Sequence, residues 1–399
     1  MKVKKNFHLS ILTILASLLL FTGCNSKKET GSSSSEEVTA SSPTSGDEIV
    51  IGAVFPMTGP IATYGQESVN GIKLALKKYG MDKIKGKTIR LIVEDNKGEP
   101  TESANAVRKL ITIDKVHVVV GSVASSNTLA GAPIAQKAGV PLMTPASTNE
   151  KVTQTGDFIS RTCFTDNFQG VVMAKFAKES LGKSKAAIIV DNASDYSKGL
   201  SKVFKTEFEK MGGTIIDTEF TYTAKDTDFR SLLSKVKRTK PDVVFLPGYY
   251  TEAGLILKQA KQMGLNAPFL GGDGWDSPKL QELAGAEGVK GNYISSHFSP
   301  DDQDPAVQTF VKEYKENYGD QRPGAMAALG YDGMLVILDA LKRSESLEYA
   351  AINNAIIGTK GFKGITGSIT IDENRNARKS AVVLKTLPEG MAFEQKVNP

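Results

Sequence analysis

The chain has 399 residues, with 49 lysines and arginines against 44 aspartates and glutamates and a net charge of +5 at pH 7. Removing Lys2, Lys4 and Lys5 with an N-terminal signal leaves 46 basic against 44 acidic residues, a net charge of +2. Nothing in that balance favours nucleic acid as a partner, and the length that remains is enough for two sizeable cores.

In chain order, Lys2, Lys4 and Lys5 precede an apolar stretch over 9–21 and then Thr22-Gly23-Cys24. The apolar part is too short for a membrane span, so residues 1–23 read as a secretory signal. The LFTGC sequence at 20–24 resembles a lipobox, apart from Phe21 where leucine is usual, and marks Cys24 for lipidation. An ordinary signal with an incidental cysteine is the alternative. Residues 24–47 are rich in Ser, Gly and Glu with almost no bulky apolar side chain, and form a flexible tether. With Cys24 acylated, Cys163 has no partner, so no internal disulfide is expected, and Cys163 is read as a small buried residue.

From Glu48 onward, strands are predicted at 49–55, 88–94, 116–121, 140–143, 185–190, 213–220, 242–246 and 267–271. Helical spacing falls between them, at 71–79, 101–113, 170–181, 199–211 and 253–263. Regular alternation of this kind implies right-handed βαβ units and parallel sheets, and the strands are too many for one compact domain.

Two strand ends stand out chemically. The run 116–120 reaches Gly121, with Ser125 and Ser126 just before a helical segment. Their hydroxyls and the free N–H groups of a helix start suit an anion such as a carboxylate. Residues 140–143 then lead into Thr144-Pro145-Ala146-Ser147-Thr148, a second group of donors and carbonyls. Open parallel sheets bind ligands at the carboxyl ends of their strands. Ser/Thr-rich strand ends also serve as ordinary caps.

Enzymatic signatures are missing. Gly80 and Gly86-Lys87-Thr88 mimic a phosphate loop, but five residues separate the glycines where four are needed, and a strand follows instead of a helix. No Gly-x-Gly-x-x-Gly follows the first strand. His8 lies in the signal, His117 in a buried-looking strand and His297 at a proposed hinge crossing, so they build no metal cluster. Asp191, Asp195 and Asp226 read as turn and cap residues. The expectation is a protein that is not an enzyme and needs no cofactor.

An ordered series of segments carries a resemblance: PMTGPIATYGQESVNGIKLA at 56–75, VEDNKGEP at 93–100, GSVASSNT at 121–128, PLMTPAST at 141–148, DNASDYSKGL at 191–200, FLGGDGW at 269–275 and ALGYDGM at 328–334. Together they resemble the type 1 periplasmic binding proteins, in the leucine/isoleucine/valine-binding branch that feeds ABC importers. The resemblance implies an α/β fold of two doubly wound parallel-sheet lobes joined by a three-crossing hinge. It places 48–166 plus 297–380 in lobe 1 and 167–296 plus 381–399 in lobe 2. It further implies a monomer anchored through Cys24 to the extracytoplasmic face of the cell membrane. Such a receptor would deliver a free amino acid, branched-chain or otherwise apolar, to a separate permease and its ATPase subunits.

For the site, the resemblance implies that Ser125 and Thr148 hold the ligand carboxylate and that the Ala146 carbonyl accepts from the ammonium, with Ser147 beside them. Asp273, between glycines, supplies the counter-charge to the ammonium, and a capping role in its turn is the alternative. Tyr196 meets the head group from the second lobe. Tyr64, Tyr249, Trp275 and Met326 line the side-chain cavity, or pack as ordinary core. Asp166 lies near the first crossing. A receptor of the same fold for an amide, a polyamine or an aromatic acid is the main rival, and a binding protein that docks onto a separate sensor is another.

Overall fold

The computed structural model describes residues 46–216 and 220–399. The signal, Cys24 and nearly all of the tether lie outside the described residues. The first sheet is wound from β1 (Glu48–Phe55), α1 (Ala62–Tyr79), β2 (Thr88–Asp95), α2 (Pro100–Thr112), β3 (Val118–Gly121), α3 (Ser125–Ala138), β4 (Leu142–Thr144), α4 (Lys151–Gln154) and β5 (Ile159–Arg161). Its strands run in the order β2-β1-β3-β4-β5, every pair parallel. The apolar runs of β1 and β3 are buried along nearly their whole length, as strands covered by helices on both faces must be.

The chain then crosses into a second layered unit through α5 (Asp166–Lys175), whose first turn is capped by the Thr165 hydroxyl accepting from Phe168 N. There follow β6 (Lys185–Asp191), α6 (Asp195–Lys210), β7 (Thr214–Ile215), β8 (Phe220–Tyr222), α7 (Arg230–Arg238), β9 (Val243–Phe245), α8 (Tyr250–Gln262), β10 (Phe269–Gly271), α9 (Lys279–Val289) and β11 (Tyr293–Ser296). After β11 it returns with α10 (Pro305–Tyr318), α11 (Ala325–Arg343) and α12 (Tyr349–Ile357), and α11 packs along α1. A small sheet of β12 (Phe362–Gly364), β13 (Gly367–Ile371) and β14 (Ala377–Arg378) leads to β15 (Ala381–Leu387) and β16 (Gly390–Val397), which rejoin the second sheet.

That second sheet has the order β16-β15-β11-β10-β9-β6-β7, with β8 also on β6. It is parallel from β7 to β11, but β15 and β16 are antiparallel. Only Pro388 and Glu389 separate β15 from β16, and so short a link permits no parallel crossover.

The helix-linked core of each sheet therefore repeats one winding: first strand inside, second at its edge, third to fifth on the other side. In such an order the connections leave in opposite directions on either side of the first strand, opening a crevice at the carboxyl ends of the first and third strands. The crevices of the two sheets lie at β1/β3 and at β6/β9.

Candidate functional site

Every strand that leads into the site does so from its carboxyl end, at or beside one of those crevices. From the first sheet come Tyr64 on α1 after β1, Val123 and Ser125 after β3, and Ala146 and Thr148 after β4. From the second come Tyr196 at the start of α6 after β6, Tyr249 after β9, and Asp273 and Gly274 after β10. These residues, with Met326 at the start of α11, line one small cavity.

The anion side rests on α3. This helix starts at Ser125 with no side-chain cap; Asn127 and Thr128 donate their N–H groups to the Ala124 carbonyl, leaving those of Ser125 and Ser126 for a ligand, where the helix dipole favours negative charge. The Ser125 hydroxyl accepts from Asn149 N at 3.2 Å, tying the helix start to the loop after β4. That loop is held from below by buried Arg161, which donates to the Ser147 and Asn149 carbonyls at 2.6 and 2.7 Å.

The opposite side is Asp273, 3 % exposed. Its Oδ1 accepts from the Tyr196 hydroxyl at 2.9 Å and from Gln169 Nε2 at 3.2 Å, and its Oδ2 faces His297 Nε2 at 3.0 Å. Burial pushes the Tyr196 phenol well above its usual range and holds the His297 imidazole below its own, so both are neutral donors near pH 7. Gln169 also donates to Asp166 at 2.8 Å, and burial pushes the Asp166 carboxyl up to about 7. No lysine or arginine among the described residues pairs with Asp273.

Aromatic rings form the remaining walls. Tyr196 and Tyr249 stack at 5.4 Å with 16° between planes, and Tyr64 meets Tyr249 edge-on at 6.2 Å. Gly274 must lack a side chain, because a Cβ there would lie 2.4 Å from the Gly248 carbonyl and 3.1 Å from the Tyr196 ring. This lets its carbonyl accept from the Tyr64 hydroxyl across the cleft.

The two halves also meet outside the cavity. The Ser126 hydroxyl accepts from Asp195 N at 3.0 Å and donates to Asp195 Oδ2 at 3.1 Å, while Asn149 Nδ2 donates to the Asp195 carbonyl at 2.7 Å. Tyr250 donates to the Pro60 carbonyl at 3.0 Å, and Lys225 pairs with Glu99 at 2.8 Å.

Eight of the ten residues singled out for ligand contact thus share one cavity: Tyr64, Ser125, Ala146, Thr148, Tyr196, Tyr249, Asp273 and Met326. The other two face elsewhere. Ser147 donates its N–H to Thr144 Oγ1, which turns its hydroxyl under the end of β3, onto Thr128 and the Ser122 and Val123 carbonyls. Trp275 is fully buried over Gly271, and its indole N–H donates to the Leu246 carbonyl. Ser126, expected to serve an anion, bonds to Asp195 instead. Gln169, His297 and Arg161 had no local signal, since each acts on a partner distant in sequence. Cys163 is buried and free, with burial pushing its thiol up to about 12.

Two wound sheets that both contribute side chains to one cavity define a class of receptor that takes its ligand between lobes. The chain belongs to the Periplasmic binding protein family, whose profile matches residues 48–387. It is similar to the leucine-binding protein LivK of Thermotoga maritima (40 % identity, TM-score 0.84, covering 88 % of this chain and 99 % of that one). It is also similar to the branched-chain amino acid transporter substrate-binding protein LivJ of Streptococcus pneumoniae in complex with isoleucine (34 %, 0.82, 88 % and 100 %). A solute-binding protein of an ABC transporter from Rhodopseudomonas palustris in complex with 3,4-dihydroxybenzoic acid follows (28 %, 0.79, 88 % and 97 %). The chain is a substrate-binding protein of an ABC transporter.

Proposed function

We propose that the protein captures a free apolar L-amino acid, branched-chain above all, and passes it unaltered to a permease. The observation that carries this reading is Asp273, a buried carboxylate at the cavity that pairs with no lysine or arginine among the described residues. An ionised group kept from water needs an opposite charge, and a ligand ammonium supplies it. Across the cavity, Ser125, Thr148 and the α3 N-terminus offer hydrogen-bond donors for the ligand carboxylate. The two sides together match a zwitterion, and the tyrosines and Met326 offer its side chain apolar surface.

The isoleucine complex of the LivJ relative supports the amino-acid reading. The dihydroxybenzoate complex of the Rhodopseudomonas relative keeps an aromatic acid as the second reading, which the three tyrosines of the cavity favour. A benzoate leaves Asp273 without a cation, and that weighs against it. A thermal-shift panel of amino acids, benzoates, amides and polyamines separates the readings: the proposal expects stabilisation by apolar amino acids, and stabilisation by benzoates alone overturns it.

The same reading assigns Cys24 as the lipidated residue that holds a monomeric receptor at the extracytoplasmic face of the membrane. Lobes 48–166 plus 297–380 and 167–296 plus 381–399 then close on the ligand. The closed form docks onto the permease of an importer powered by separate ATPase subunits.

A further inference from the structure

Next to Asp273, and outside the cavity lining, sits His297, 2 % exposed and the first residue after β11. Its ring stacks on Phe164 with centroids 3.6 Å apart and 21° between planes. Phe164 lies between β5 and α5, where the chain first leaves the first sheet, and His297 lies where it returns. The stack thus joins two of the crossings. Of the two ring nitrogens, Nδ1 has no hydrogen-bond partner and Nε2 faces Asp273 Oδ2 at 3.0 Å. A neutral imidazole carries one N–H, and a carboxylate oxygen only accepts, so the proton resides on Nε2. The charged groups around the ring are Asp273 and, from the segment before β15, Lys379.

An ionised carboxylate has about four acceptor positions. Tyr196 and Gln169 occupy the two on Oδ1, and His297 occupies one on Oδ2. A single position is left, also on Oδ2. Because Phe164 fixes the imidazole plane, His297 fixes where that last position is directed.

We propose that His297 is a positioning residue for ammonium recognition: it orients the Asp273 carboxylate so that its one remaining acceptor position meets the α-ammonium of the ligand. The proposal rests on the reading of Asp273 as the ammonium partner and adds a determinant of selectivity. Ligands with an amine benefit from His297, whereas analogues with hydrogen in its place, which offer no donor to Asp273, do not.

The test is calorimetric titration of the wild type, H297L, H297Q and H297N with L-leucine and with its deamino analogue, 4-methylpentanoate. Glutamine places an N–H close to that of Nε2, while leucine and asparagine place none there. Loss of a hydrogen bond to a charged group corresponds to roughly 10- to 150-fold in affinity. H297L should therefore weaken leucine binding by about tenfold or more and leave 4-methylpentanoate within about threefold, and H297Q should recover most of the loss. If H297L does not fold, H297N carries the same comparison. Equal weakening toward both probes, or failure of glutamine to restore binding, assigns His297 a purely structural role and overturns the proposal. Unchanged leucine affinity in H297L also overturns it. Wild-type protein that binds neither probe overturns the parent reading of Asp273, and the proposal with it.

Discussion

Replacing Asp273 with asparagine isolates its charge while sparing the surrounding network. Alanine would strand three buried partners at once: the Tyr196 hydroxyl, Gln169 Nε2 and His297 Nε2, at 2.9, 3.2 and 3.0 Å from the carboxylate. Each stranded donor costs about 1–3 kcal/mol, enough to confuse a folding defect with a binding defect. With asparagine, the amide oxygen still accepts from Tyr196 and Gln169. The amide N–H₂ can donate to His297 if the imidazole moves its proton to Nδ1, which no other group contests. The fold should then survive with the charge gone. In a site of effective dielectric near 20, unit charges about 4 Å apart attract by about 4 kcal/mol. Breaking a buried ion pair by removing one partner costs roughly 3–5 kcal/mol. At about 1.4 kcal/mol per decade, the Kd for an amino acid should rise by two to three and a half decades in D273N. Calorimetry on protein with an unchanged unfolding midpoint measures this, and an affinity within threefold of wild type refutes Asp273 as the ammonium partner.

Ser125→Ala and Thr148→Ala should each weaken binding by about 0.5–1.5 kcal/mol, a smaller loss than D273N because the N–H groups of the α3 start remain, as parallel titrations check. Ligand contact with both lobes favours closure, so small-angle scattering should show a lower radius of gyration with saturating leucine than without, and equal radii would argue against closure. Glu67, whose Oε2 is enclosed beside Asp276, has its carboxyl pushed up to about 8 by burial and by that neighbour, from an ordinary value of 4.5. The folded protein thus holds a proton that the unfolded chain releases, so stability is fully present below pH 4.5 and falls as pH rises toward about 8. Denaturant melts at pH 5 and pH 8 should show this difference shrinking in E67Q. Cys24→Ala should abolish fatty-acid labelling of the protein in its native cell, and labelling that persists removes Cys24 as the anchor.

Alternation of apolar runs makes the parallel layers legible in the sequence, and the polar strand ends point to the ligand side of each sheet. Element starts are harder to read. α1 begins at Ala62, not at 71, because Gly65 and Gly71 weaken the helical signal while serving close packing: a Cβ on Gly71 would lie 2.0 Å from the Ala327 carbonyl of α11. Likewise α6 begins at Asp195, capped by Ser194, so the helix positions Tyr196 directly. The predicted strand at 213–220 divides into β7 and β8. Side-chain direction is not readable at Ser147 and Trp275, where a hydrogen bond to a neighbouring strand end decides which way each residue faces. The network behind Asp273 is equally hidden, since Gln169 and His297 lie 104 and 24 residues from it along the chain. A lone histidine carries no pattern.

The central claim, recognition of an amino-acid zwitterion, is tested most directly by titrating the purified protein with L-isoleucine, L-leucine and L-valine beside 4-hydroxybenzoate in one calorimeter. Several charge-assisted hydrogen bonds of about 1.5–3 kcal/mol each should place the best of the three amino acids at a Kd near or below ~1 µM, with the benzoate far weaker. Tight binding of the benzoate with no heat from any of the three amino acids would contradict the claim.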